Sequence, residues 1–183
     1  MPTAIIDGAS SNVDLQVKRS SIGGNGVFSR RRFAKGELVY RMGGKRVSLA
    51  RCALEIVMGR VHVDDPLQIA TFEYILLDEI SRSFNHSCAP NTAIVGVADA
   101  VALRDIADGE EITYDYAMTV RSTLFTRHWR LPCHCGAAQC RGAVGDIRTV
   151  PLAQLRDALQ RGLIQDYMLK EATMLVEAGG PAG

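Results

Sequence analysis

The sequence predicts a mostly β domain with a few helices, followed by a C-terminal helical extension. Three observations carry this reading: six short alternating or β-rich runs broken by glycine turns, one stretch of helical spacing among them, and a change to helical periodicity after residue 150. With 183 residues, 47% of them apolar and 22% charged, the chain has room for one domain and a small appendage, and its composition excludes wholesale disorder.

Taken in order, residues 1–12 show no period and are expected to form a disordered arm, with folding beginning near Val13. Strands are expected at residues 15–18, 38–42, 74–77, 92–98, 100–104 and 111–114. Turn signals at Gly23-Gly24-Asn25-Gly26, Lys35-Gly36 and Asp108-Gly109 separate them. A helix starts at Ser48 as N-cap, places Leu49, Cys52, Ala53, Ile56 and Val57 on one face, and closes at Gly59. After Val150, Thr149 is the expected cap and Pro151 falls in the first turn, with Leu152, Leu155 and Leu159 on one side. Gly162 divides this helix from a second one carrying Leu163, Ile164, Tyr167, Met168 and Leu175, and residues 177–183 are expected to be disordered.

The net charge of +1 gives no global field for nucleic acid or an anionic membrane. No apolar run reaches the ~18–20 residues of a spanning helix, and the start lacks a basic n-region. The expectation is a soluble, intracellular protein, cytoplasmic or nuclear, with no membrane and no direct nucleic-acid partner. Charge is nevertheless uneven. Between residues 61 and 116, eleven acids face only Arg82 and Arg104, a local −9 that either favours a basic ligand or simply solvates the surface.

Four segments can carry chemistry. Residues 21–28 hold three glycines that let backbone approach a ligand, although on this segment alone a plain turn between two strands is the favoured explanation, and Ser29 with Gly44, Lys45 and Arg46 downstream excludes a dinucleotide fingerprint. Asn85-His86-Ser87-Cys88 packs an amide, an imidazole, a hydroxyl and a thiol together. Asn85 offers the donor and acceptor that an adenine edge requires. Tyr114 and Tyr116 lie two apart on an expected strand, so both phenols face one side, as in ordinary sheet packing or as the lining of a narrow channel. Cys133, Cys135 and Cys140 form a C-x-C-x4-C cluster that suits zinc in a reducing compartment. Cys88 is the choice for the fourth ligand, with His134, His86 and Cys52 as alternatives.

In this order, the glycine segment, residues 82–91, residues 109–116 and the cysteine cluster resemble a SET-domain protein lysine methyltransferase with a post-SET zinc loop, over residues 17–142. The resemblance implies a SET-type fold of small curved sheets with a threaded, pseudoknot-like crossing. It also implies S-adenosyl-L-methionine at one face, and a lysine of a basic protein such as a histone entering from the other. It divides the chain into an arm (1–12), a SET domain (13–128), a post-SET zinc loop (129–146), a helical extension (147–176) and a tail (177–183).

By position, Gly24, Asn25 and Gly26 would hold the methionine part of the cofactor, and Asn85 and His86 the adenosine part. Tyr116 would be the catalytic tyrosine and would also meet the cofactor. Tyr114 would restrict the product to the mono- or dimethyl state. The chain departs from the family at Tyr40-Arg41-Met42, where the channel aromatic falls on Met42 unless Tyr40 replaces it by a shifted register. That departure supports a rival reading, a catalytically silent SET-like peptide-binding module. Trp129 is expected to stack on adenine, to cap the channel or to sit in the core. The C-terminal helices lie outside the resemblance and are read as a lid or a homodimer surface.

Overall fold

The computed structural model describes residues 5–6, 14–123 and 126–179. The order of elements is β1 (Ile5–Ile6), β2 (Leu15–Arg19), β3 (Asn25–Ser29), β4 (Leu38–Arg41), β5 (Gly44–Ser48), α1 (Leu49–Val57), β6 (Leu67–Ala70), β7 (Glu73–Leu77) and β8 (Asn85–His86). There follow β9 (Thr92–Val95), β10 (Asp99–Ala102), β11 (Glu111–Tyr114), β12 (Leu131–Pro132), β13 (Ala143–Val144), α2 (Leu152–Gln160) and α3 (Leu169–Glu177). Strands form small sheets in the orders β1-β5-β7-β6, β4-β10-β9, β2-β3-β11-β8 and β12-β13.

Each predicted strand is present, with shifted ends. The expected run 92–98 stops at Val95, because Gly96 takes φ +55° and turns the chain into β10. The glycine segment does turn between two strands: Gly24, at φ +50°, closes the loop joining the antiparallel β2 and β3, in which the Ser20 N–H donates to the Gly24 carbonyl, and residues 25–28 belong to β3, a strand the sequence did not announce. β5 was not legible as a strand, because Lys45 and Arg46 break the hydrophobic alternation, and β6 was not read from the sequence either. Ile5–Ile6 pairs with β5, Ile5 opposite Lys45, so that part of the expected arm is an edge strand; the remainder of residues 1–12, like Val13, lies outside the described residues.

α1 starts as expected, with the Ser48 hydroxyl accepting from the Arg51 N–H and Cys52 buried beneath it. The start of α2 differs. Pro151 is its N-cap, while the Thr149 hydroxyl donates to the Asp146 carbonyl and closes a short 3-10 turn. Ile164, Tyr167 and Met168 precede α3, and Glu177, expected in a disordered tail, is its last residue; residues 180–183 lie outside the described residues.

One crossing organises the centre. β8 and β11 run parallel, with Asn85 beside Thr113 and His86 beside Tyr114. The chain then passes β11 again at Asn91, 2% exposed, whose side chain substitutes for a strand partner: its oxygen accepts from the Thr113 N–H and its amide donates to the Glu111 carbonyl, both at 2.8 Å. Two hydrophobic cores flank this crossing. The first gathers Val27, Phe33, Ile75, Phe84, Ile106 and Ile112 from the sheets, each such side chain contributing ~1.5–3 kcal/mol of burial. The second joins Cys88 and Cys133 to Ile147, Leu155, Met168 and Ala172, so α2 and α3 turn apolar stripes toward the cysteine segment.

Candidate active site

A cavity of about 430 Å³ opens between α1, residues 63–68 and the segment after β11. Its lining brings Phe84, Tyr114 and Tyr116 together with Asp64 and Asp65. β11 ends at Tyr114, and Asp115 caps a 3-10 turn by accepting from the Ala117 N–H, so the two tyrosines are held by a strand end and a turn. Their rings still lie together, with centroids 4.8 Å apart at 47°. The Tyr116 hydroxyl donates to the Phe84 carbonyl at 2.6 Å. Burial drives both phenols to pKa values well above the ordinary range. Asp65 and Asp64 reinforce this at Tyr116, and Tyr116 and Asp115 at Tyr114, so both remain neutral hydroxyls.

Neither residue expected as the channel aromatic lines the cavity. Met42 is 1% exposed in the first core, and Tyr40 lies behind Phe84, ring centroids 5.8 Å apart, with its hydroxyl toward Asp78. Phe84 supplies the aromatic wall that sequence reasoning sought at position 42. Its place just before Asn85-His86 was the available signal. Trp129 also lines the cavity, and its indole N–H donates to Asp64 at 2.7 Å.

The glycine segment meets the opposite end of β11. The Asn85 amide donates to the Gly23 and Asn25 carbonyls at 3.2 and 3.0 Å and to Glu111 at 2.7 Å, while the Ser20 hydroxyl donates to the other Glu111 oxygen. A Cβ at Gly26 would displace the Glu111 carboxylate from its place beside Asn85 and Ser20. Asn85 therefore buttons the glycine loop to β11, its donors engaged by backbone oxygens and a carboxylate. Glu111 completes this cradle and was not singled out from the sequence, where it was one acid among eleven.

His86 points elsewhere. Its ring is buried, and Nδ1 accepts from the Tyr116 N–H at 3.2 Å, which leaves the proton on Nε2, 3.3 Å from the Cys88 sulfur. Burial lowers its pKa, with Asp115 opposing, so the ring is a neutral strut between the tyrosine turn and the cysteines.

The sulfurs of Cys88, Cys133, Cys135 and Cys140 lie within 4.8 Å of one another, and Cys88 and Cys133 are 3.8 Å apart. That is close to the ~3.8 Å edge of a tetrahedron with Zn–S bonds of ~2.3 Å. The N–H groups of Cys88, Arg141 and Gly142 donate to these sulfurs. Burial opposes ionisation, but such donors and the neighbouring thiols bring the Cys135 thiol down to about 6. The donor set fits a thiophilic tetrahedral ion, and Cys88 takes the fourth place. Cys52 instead lines the cavity, and His134 is exposed. Two further residues escaped the sequence: Arg141 forks onto Asp115 at 2.7 and 2.6 Å, joining the cysteine loop to the residue between the tyrosines.

The family described as SET domain matches residues 24–117. Histone-lysine N-methyltransferase TRX1 of Oryza sativa subsp. japonica is 30% identical over 150 residues, 73% of this chain and 14% of that protein. Histone-lysine N-methyltransferase 2B of Homo sapiens is 31% identical over 147 residues, 72% of this chain and 5% of that protein. A histone-lysine N-methyltransferase, H3 lysine-4 specific, of Emericella nidulans is 45% identical over 74 residues, 34% of this chain and 6% of that protein. The chain thus spans a small fraction of the length of these curated relatives. Matched over more than half of its length, and with the glycine, Asn-His and tyrosine segments brought to one strand, the chain belongs to the SET domain family.

Proposed function

We propose that this chain is a protein-lysine N-methyltransferase that uses S-adenosylmethionine and acts on a basic protein such as a histone or another chromatin protein. The observation that carries this reading is the cavity itself, whose lining combines Phe84, Tyr114 and Tyr116 with Asp64 and Asp65. An aliphatic stem with a cationic head suits aromatic faces, and acids favour a substrate with flanking Lys or Arg. The names of the relatives agree with it.

The cradle at the glycine end of β11 fits the amino-acid part of the cofactor. The Gly23 and Asn25 carbonyls and Glu111 are acceptors for an ammonium, and Gly23, Gly24 and Asn25 are exposed beside them. Gly24, Asn25 and Gly26 would hold the methionine part, with Asn85 alongside; the His86 backbone, rather than its ring, would meet the adenosine. S-adenosylmethionine supplies, when bound, a methyl group on a sulfonium sulfur.

The rest is the work of the chain. A free lysine of pKa ~10.4 is neutral in about one molecule in 2,500 at pH 7, and only that form has a lone pair. Burial among aromatic walls disfavours the ammonium and excludes water. Tyr116 orients the amine rather than removing its proton: its phenol stays neutral and its hydrogen is committed to the Phe84 carbonyl. Alignment of this kind is worth ~7–11 kcal/mol for well-oriented reactants. Tyr114, packed on Tyr116, narrows the space beside the amine, which supports arrest at the mono- or dimethyl state.

Zinc in the four-cysteine cluster would hold the post-SET loop, residues 129–146, against the SET domain, residues 13–128. The apolar stripes of α2 and α3 face the second core, so a homodimer through these helices would have to use outward residues such as Leu169 and Met174. Among the described residues no helix is long and apolar enough to cross a membrane.

Mass spectrometry of basic peptides and histones incubated with S-adenosylmethionine tests the reading. Mono- or dimethyl-lysine formed by the native chain, and reduced at least about a hundredfold by Tyr116→Phe, is the expected result. Equal product from the two proteins removes the catalytic assignment, and no product from the native chain favours the silent module.

A further inference from the structure

The C-terminal extension is fastened to two segments that line the cavity, through the buried Gln165 between α2 and α3 and the part-buried Glu171 of α3. Gln165 is 1% exposed, and its amide donates to the Gln68 carbonyl at 3.0 Å and to the Val97 carbonyl at 2.8 Å. Gln68 belongs to β6, the edge strand of its sheet, and lines the cavity with Asp65, Pro66 and Leu67. Gln165 thus occupies an outward carbonyl that the sheet leaves unpaired. The backbone reinforces the join, because the Asp166 N–H donates to the Gly96 carbonyl at 2.8 Å. The Gln165 Oε1 is buried and has no hydrogen-bond partner among the described residues, so this glutamine is used for its donors.

On the other side, Glu171 in α3 accepts from the Ser122 N–H at 2.9 Å and from Arg121 Nε at 3.1 Å. Thr119 and Val120, just before these residues, line the cavity beside Tyr116. Arg121 also lies over the Tyr167 ring, 5.8 Å from its centroid, so one short stretch, residues 165–171, is fastened to the β6 wall and to the segment that follows the tyrosines.

We propose that Gln165 and Glu171 are positioning residues that fix the separation of these two cavity-lining segments, making the C-terminal extension a clamp that sets how tightly the substrate chain is held. This rests on the reading of the cavity as the substrate site. The clamp lies beyond residues 24–117, in a part of the chain the family match does not reach. It acts on substrate affinity, because neither side chain lines the cavity or meets the glycine cradle.

The test uses the full chain with Glu171→Ala, Glu171→Gln and Gln165→Met, the last an unbranched apolar replacement of similar length. Hydrogen–deuterium exchange is expected to quicken at residues 119–123 in Glu171→Ala and at 64–70 in Gln165→Met, with the sheets unchanged. Emission of Trp129, the single tryptophan and a cavity residue, should shift in both. Peptide KM should rise about tenfold, with kcat and S-adenosylhomocysteine affinity within about twofold. Glu171→Gln, which keeps an acceptor for the Ser122 N–H, should restore most of the native KM. Exchange that is unchanged at these segments, or faster throughout the chain, overturns the clamp, as does a loss confined to kcat. Were the native chain to methylate nothing, the proposed function would fall, while exchange and Trp129 emission would still decide for or against the clamp.

Discussion

Arg141 closes a two-pronged ion pair on Asp115, at 2.7 and 2.6 Å, and thereby ties the residue after the last cysteine to the residue between the two tyrosines. The Asp115 side chain is 1% exposed and that of Arg141 13%, so the pair is shielded from solvent. Gln154 of α2 adds a donor to the same carboxylate at 3.3 Å. The cysteine loop, the tyrosine turn and the helical extension meet at one carboxylate, which joins the His86 strut in linking the cysteine segment to Tyr116.

Removing the cation strands a buried carboxylate. Arg141→Ala is expected to cost ~3–5 kcal/mol, because breaking a buried pair leaves one charge uncompensated. For a chain of this size that lowers Tm by roughly 6–20 °C. Asp115→Asn placed on top of Arg141→Ala should recover part of the loss, since a neutral amide carries no charge to strand. Thermal melts of the four proteins in this cycle check it. Additive losses would show that the two residues act independently.

The cysteine cluster makes a separate prediction. Purified protein should contain about one zinc per chain, and Cys140→Ser or prolonged chelation should remove it. Because Cys88 and Cys133 belong to the second core with Ile147, Leu155 and Met168, metal loss should loosen α2 and α3 as well as the loop. Elemental analysis beside helical circular dichroism measures both. Unchanged metal content in Cys140→Ser would exclude that sulfur as a ligand.

Much of this architecture could be read from residues alone, and the failures share a cause. Local signals identified α1 from Ser48 and its spacing, and β11 from its alternation, because propensity and burial agree there. The cysteine spacing pointed to one cluster that includes Cys88, because thiols in such spacing have few other uses. What escaped were pairings between distant segments. Nothing in Gly44-Lys45-Arg46 announces a strand until β7 lies beside it, and nothing in Arg141 announces Asp115, 26 residues away. The channel aromatic was sought at Met42, or at Tyr40 by a shifted register, whereas the fold brings Phe84 to the cavity between the 3-10 turn Ser81–Ser83 and β8. His86 was read with Asn85 as one ligand-binding pair. Neighbours on a strand face opposite sides, and its ring goes to Cys88.

Acid should weaken the crossing through Glu110. Burial pushes its pKa up, but the Arg104 guanidinium, the Ala107 N–H and the Asn91 amide outweigh this and hold it below the ordinary 4.5. A carboxyl depressed in the folded state contributes stability that is fully present above the unfolded value and is lost as pH falls through the folded one. The native chain should therefore lose Tm below about pH 4.5 with a component that Glu110→Gln lacks, and the two Tm curves should converge in acid. Parallel curves from pH 3 to 7 would show that the Arg104 and Asn91 contacts add nothing to stability.

Tyr114 is expected to govern product rather than rate. Tyr114 is 8% exposed, lies 4.8 Å ring to ring from Tyr116, and borders the cavity with its phenol held neutral by burial. Tyr114→Phe removes one oxygen and leaves the stacking in place, so the space beside the amine grows by about one water-sized volume. A monomethyl or dimethyl amine is larger than a free amine by one or two methyl groups, and the enlarged site should admit it for another turn. The expected outcome is accumulation of trimethyl-lysine, with the first transfer within a few-fold of native. Intact-peptide mass spectra taken over a time course resolve the three products separately. An unchanged product distribution would mean that Phe84 or Tyr116, rather than the Tyr114 hydroxyl, sets the limit.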